Sequence, residues 1–170
     1  PLFDVEGGKQ GLGVLSKEPP LNYHSIVLPG REEARGVLLV EFENYVFCCT
    51  QLSKNEEDRM ASVPLIFDFI KEFKQAKRRV LVHHVPIYAS REGHYNPCFE
   101  KWGDILANAP FDICINAHRH RFAYYPKKEV GNNFPIIVGG GNQLSNAYML
   151  VLQKQGTKLT FRAIDTEGEE

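Results

Sequence analysis

Val80-Leu81-Val82-His83-His84-Val85-Pro86-Ile87-Tyr88, an apolar triplet running into paired histidines, is the stretch from which the rest of the chain is best read. Val80-Leu81-Val82 has the composition of a short buried strand, and it delivers His83-His84 at its end. Upstream, Leu65, Ile66, Phe69, Ile70 and Phe73 fall on one face at helical spacing, with Lys71, Glu72 and Lys74 outside. Pro64 is expected to start this helix, because proline is tolerated in a first turn, and Arg78-Arg79 to close it. Downstream the pattern returns: 111–116 is a second expected strand, ending at Ala117-His118-Arg119-His120. In mixed α/β folds polar groups at such strand ends are where sites gather.

Further from this centre, residues 1–13 carry four glycines and read as loop. A short strand is expected over 13–16, stopped by Pro19-Pro20, and another over 23–28, ended by Pro29-Gly30. Residues 36–42 and 45–50 read as an antiparallel hairpin turning at Glu43-Asn44. Asn55 or Ser53 caps a helix that carries Glu56, Glu57 and Asp58 near its positive end. Loop is expected over 88–97, a helix with Trp102, Ile105 and Leu106 over 98–108, and a strand over 135–138 that ends in Gly139-Gly140-Gly141. Residues 147–153 and 158–164 form a closing antiparallel pair, with Gln155-Gly156 at the turn. The expected fold class is α/β: a layered mixed β-sheet sandwich with flanking helices, in one domain over 1–170.

The 170 residues suffice for one domain with a real core, and 43% hydrophobic with 24% charged residues describe an ordinary globular protein. A formal net charge of -1 lacks the basic footprint that nucleic acid or an anionic membrane would call for. No apolar run approaches the roughly 20 residues of a membrane span. The chain opens at Pro1 without an initiator Met, so the natural N-terminus is expected to be absent and the compartment stays open. Cys48, Cys49, Cys98 and Cys114 contain no C-x-x-C pair, which suggests neither a zinc ribbon nor a redox motif; buried reduced thiols are expected.

His84, His118 and His120 are the candidate metal ligands. An H-x-H step at a strand terminus lets two imidazoles converge, and a third from another strand end adds to the shell. Imidazole suits zinc, iron and manganese. His83 is either a support for these ligands or points to the other face of its strand.

Over about 67–168 the chain resembles the C-terminal half of the calcineurin-like metallophosphoesterases, which include the purple acid phosphatases. The resemblance rests on H-x-P-x-Y at 84–88, Trp102, A-H-R-H at 117–120, PIIVGGGN at 135–142, and the closing strands up to Ile164-Asp165. It implies part of a four-layer αββα fold and two divalent metal ions, zinc, iron or manganese. His84 and His118 would bind one ion and His120 the other, and a hydroxide between them would attack a phosphoester substrate in line. Ala117 stands where the family has glycine, at a tight strand exit. The family's D-x-H, G-D-x-x-D and G-N-H motifs are absent, so this chain lacks the carboxylates that offset the metal charge. The site is then expected to be completed by a missing N-terminal half or a second subunit. An exposed, unfinished sheet edge would favour such an association.

A second resemblance covers about 11–60. GLGVLSK at 11–17 and REEARGVLLVEFENYVFCCTQL at 31–52 are similar to a segment of the endonuclease/exonuclease/phosphatase family, the DNase I-like fold. Gln51 replaces that family's phosphate-binding histidine, and its G-D-x-N and S-D-H motifs are absent. The alternative is an ordinary hairpin with Arg35 and Gln51 as surface polar residues. Taken together, 1–62 is the endonuclease/exonuclease/phosphatase-like segment and 63–170 the metallophosphoesterase-like one. The expected function is metal-dependent phosphoester hydrolysis with only part of the active site in this chain. The alternatives are an inactive fragment or binding domain of phosphoesterase architecture, and a DNase I-like endonuclease or phosphatase.

Overall fold

The computed structural model describes residues 3–5, 8–31, 35–53, 55–71, 77–84, 109–130, 133–141, 149–156 and 158–168. The fold is mixed α/β, and the chain divides into two compact units, Pro1–His83 and His84–Glu170. Among the described residues no helix is long and apolar enough to cross a membrane.

The first unit opens with a ribbon of β1 (Phe3–Val5) and β2 (Gly8–Gln10), paired antiparallel with Val5 opposite Gly8. A loop was expected there; strands of three residues are too short to show alternation. The strand expected over 13–16 is absent, and Leu15 stands fully exposed. The main sheet of this unit has the order β3 (Asn22–Leu28), β4 (Arg35–Glu41), β5 (Tyr45–Gln51), β6 (Arg78–His83). The first three are antiparallel neighbours, which bears out the expected hairpin, and β5 and β6 are parallel. Parallel neighbours need a crossover, and α1 (Glu56–Lys71) supplies it. Arg78 and Arg79 belong to β6 and do not close a helix, since the Arg78 N–H donates to the Asn44 carbonyl at 3.1 Å and begins the pairing.

Strand register divides the side chains into rows. His24, Leu39, Cys48 and Leu81 form one row, and Ile26, Val37, Thr50 and His83 the next on the same face. α1 lies against this face, where Phe69 meets the His24 ring edge-on with centroids 6.1 Å apart. Val37, Leu39, Cys48 and Leu81 are accordingly almost fully buried. Each aliphatic side chain so covered contributes about 1.5–3 kcal/mol. On the opposite face Val40 and Val80 are buried beside Phe47, while Leu38, Phe47, Cys49 and Val82 are only half-buried, which accounts for the strict alternation along β5.

The start of α1 is fixed by hydrogen bonds. Asn55 is the cap: its Oδ1 accepts from the Asp58 N–H at 3.2 Å, and its carbonyl accepts the first helical bond, from Arg59 at 3.1 Å. Ser53 acts outside the helix, its hydroxyl accepting from the Asn55 N–H and donating to Asp58 Oδ2. The buried Asp58 carboxylate also takes the Arg31 N–H at 3.0 Å, while the Arg31 guanidinium pairs with Glu57. Pro64 was expected to start a second helix, yet it sits inside this one. Met60, Ala61, Pro64 and Leu65 share the solvent side, so the Met60 carbonyl that Pro64 cannot satisfy belongs to an exposed residue. Leu65, expected inside, is therefore exposed, and the buried stripe is Asp58, Arg59, Ser62, Val63, Ile66, Phe69 and Ile70. Phe73, the loop over 88–97 and the helix over 98–108 with Trp102 lie outside the described residues.

In the second unit β7 (Ile113–Asn116), β9 (Ile136–Val138) and β8 (Ala123–Tyr125) lie in that order; β7 and β9 are parallel, β8 and β9 antiparallel. Phe111 and Phe134 meet edge-on at 5.9 Å, and both are buried with Ile113, Cys114 and all of β9. β8 and the one-turn α2 (Lys127–Val130) are further elements, too short for their sequences to announce. β10 (Met149–Gln155) and β11 (Lys158–Ile164) form a separate hairpin, as expected, with Gln155 opposite Lys158. Gly156 takes the positive φ, 57°, that such a two-residue turn requires. Phe161 of β11 packs on Tyr124 of β8 at 4.9 Å.

Removing the cap with Asn55→Ala should lower stability by about 1 kcal/mol in urea denaturation. Met60→Ala, on the exposed side of the same helix, should change it by less than about 0.5 kcal/mol.

Candidate functional site

Because β7 and β9 are parallel and end together, Asn116 opposite Val138, the segments that follow them leave the same edge of this sheet. One carries Ala117-His118-Arg119-His120 and the other Gly139-Gly140-Gly141. A hydrogen bond from the Gly139 N–H to the Asn116 carbonyl, 2.7 Å, holds the two exits together. β8 returns with Ala123 opposite Val138, so residues 117–122 cross this edge.

The turn is built on two further backbone bonds. The Ala117 N–H donates to the His84 carbonyl at 2.9 Å, and the Arg119 N–H to the Ala117 carbonyl at 2.8 Å. The second closes a three-residue turn centred on His118, whose φ is 69°; His120 follows at 53°. A turn of this hand is rare and strained. Left-handed backbone costs a residue with a side chain roughly 1–2 kcal/mol, and here two imidazole-bearing residues carry it. Ala117 itself is not among the positive-φ residues, so its side chain meets no strain of that kind.

This backbone brings two of the three candidate ligands together. His84 Nε2 and His118 Nδ1 are 3.2 Å apart, with ring centroids at 5.1 Å and planes at 81°. One nitrogen can donate and the other accept, according to tautomer. The same separation suits two ligands of one tetrahedral ion, because nitrogens about 2.0–2.1 Å from a common centre lie about 3.3 Å apart. All three imidazoles are exposed at the surface. Partial burial pushes the His84 pKa below its ordinary value of 6.5, and the positive charge that His118 and His120 can carry lowers it further. His120 thus acts electrostatically on His84. Among the described residues, however, no group of three or more His, Cys, Asp or Glu side chains is disposed to hold a metal ion.

The other singled-out residues separate clearly. His83 is buried at the end of β6, on the face it shares with Leu81, while His84 is exposed. Arg35, read as a surface residue in the hairpin alternative, is buried at the start of β4, and Gln51 is half-buried at the end of β5 opposite Gly36. Cys48, Cys49 and Cys114 are free thiols. Burial pushes Cys49 up to about 11 and raises Cys114 as well, which disfavours the thiolate form of both. Sequence reasoning passed over Asn116, a buried amide that accepts the Cys114 thiol at 3.5 Å one residue before the turn. Its signal was a polar residue closing an apolar strand. Residues 85–88, Cys98, Trp102 and Asn142 lie outside the described residues.

NMR titration should find the His84 imidazole with a pKa below 6.5, rising toward 6.5 in His118→Ala. In the window between the lowered pKa and 6.5 the unfolded chain binds the His84 proton more readily than the folded one. The contribution of His84 to stability is therefore full above 6.5 and falls as the pH drops through that window.

Comparison with models of known protein families gave no match, and comparison with curated proteins found no relative.

Proposed function

We propose that His84 and His118 are ligands to one divalent ion (zinc, iron or manganese) and His120 to a second, in the metal half of a phosphoester hydrolase site. The observation that carries this reading is the 3.2 Å approach of His84 Nε2 to His118 Nδ1, between the two residues that the metallophosphoesterase resemblance assigns to one ion. The lowered pKa of His84 supports it as well, since a ligand must present a neutral nitrogen. Divalent cations would supply Lewis-acid stabilisation of charge on phosphoryl oxygens. The chain's own residues position: the left-handed turn presents His118, and the Ala117–His84 backbone bond holds its partner. The carboxylates that would offset the metal charge are missing along with the D-x-H, G-D-x-x-D and G-N-H motifs. They are supplied by a preceding half or by a second subunit. The same proposal includes the layered sandwich with flanking helices; α1 covering one sheet face, with apolar side chains half-buried on the other, supports it.

A second reading, a non-catalytic domain that keeps phosphoesterase architecture, is favoured by the absence of a three-residue metal group among the described residues. Under it the histidine pair is only a hydrogen bond. The DNase I-like alternative has less support, because Gln51 can donate a hydrogen bond but cannot carry a proton.

Titration calorimetry with zinc and with manganese distinguishes the two readings. His118→Ala should weaken binding by at least about tenfold, the lower end of what losing even an outer-shell partner costs a metal site. Equal metal binding by parent and variant would remove the proposal. Metal-dependent hydrolysis of an aryl phosphate diester that is lost in His118→Ala would exclude the non-catalytic reading.

A further inference from the structure

β3 is the outer strand of the first unit's sheet: it pairs with β4 over seven consecutive residues, and among the described residues no strand pairs with its other edge. An open edge is a row of unpaired N–H and C=O groups, and proteins normally blunt it with lysine, proline, a bulge or a cover. Among the described residues β3 has none of these. Its sequence, Asn22-Tyr23-His24-Ser25-Ile26-Val27-Leu28, is free of charge and proline, and its register with β4 runs without a bulge. Tyr23 is 69% exposed and Val27 73%. They point to the same side, away from the face on which Phe69 packs against His24.

We infer that β3 pairs antiparallel with β3 of a second copy of this chain, about a two-fold axis at Ser25. The strand is self-complementary in this register. Ser25 lies opposite the partner's Ser25, Tyr23 opposite the partner's Val27, and His24 opposite the partner's Ile26. The two most exposed side chains of the strand thereby meet as an aromatic and β-branched cross-strand pair, formed twice by symmetry. No like charges oppose one another, and a net charge of -1 per chain offers little long-range repulsion. A charged peptide partner would find no complementary charge on this strand. The pairing is independent of the histidine chemistry, because β3 lies in the first unit and the His84–His118 pair in the second.

Sedimentation velocity on the full chain tests this. The parent should be dimeric over about 10–200 µM, as befits a small interface with micromolar affinity. The variant Tyr23→Lys/Val27→Lys sets lysine against lysine at both pairs and should be monomeric. Tyr23→Lys/Val27→Glu sets lysine against glutamate in the same register and should remain dimeric. Both positions are exposed, and circular dichroism checks that each variant folds. A Ser25→Cys variant adds an independent readout, since residues directly opposite in an antiparallel pair have Cα atoms about 4.5–5.5 Å apart, within disulfide range. It should cross-link to a covalent dimer under mild oxidation while the parent does not. A parent that is monomeric throughout overturns the inference, and any other occupant of this edge would give that result. A lysine variant that stays dimeric, a lysine/glutamate variant that is monomeric, or a Ser25→Cys variant that fails to cross-link also overturns it.

Discussion

The hydrogen bond from the Ala117 N–H to the His84 carbonyl joins two segments far apart in sequence, and what is distinctive about this chain depends on it. It fixes His84 to the residue just past β7. With that distance set, the chain leaving Ala117 has little room, and it turns through left-handed backbone at His118 and again at His120. The His84 and His118 rings then meet because their backbones already do.

Strain in this turn falls on two of the candidate ligands, His118 and His120. Left-handed conformations are cheapest for glycine, and three glycines stand nearby at 139–141. The positive φ angles nevertheless belong to histidines, which is the less stable choice for folding alone. A stability contribution that runs against the local sequence is the kind of feature that marks a site. The exposure of all three imidazoles agrees, since rings needed only for packing would be covered, as His83 is.

Much of this architecture was legible before any coordinates. The β4–β5 hairpin, β3, the β10–β11 hairpin and the apolar strands leading to His84 and His118 all carried sufficient pattern, because each is a run of β-branched and aliphatic residues bounded by turn residues. The errors have physical causes. Pro64 reads as a helix start, but a proline on the solvent side of a long helix frees a carbonyl at an exposed residue, so α1 continues through it. Arg78 and Arg79 read as a helix end, whereas their long stems are tolerated half-buried in β6. The β1–β2 ribbon and β8 are three residues per strand and are specified by pairing, not by periodicity. At the site, the family resemblance paired His84 with His118, but nothing in the sequence showed that their rings would touch. That depends on the left-handed turn, and nothing in A-H-R-H announces a positive φ at its histidines.

The central claim is that the His84–His118 pair is a metal site and not merely a hydrogen bond. Nitrogen-15 NMR of the imidazoles during zinc titration tests it directly. If the claim holds, His84 Nε2 and His118 Nδ1 move together to the shifts of metal-bound nitrogen and saturate at the same zinc equivalent. If both nitrogens keep their zinc-free shifts while the rest of the spectrum shows a folded protein, the pair is a structural hydrogen bond and the account of a metal half-site is wrong.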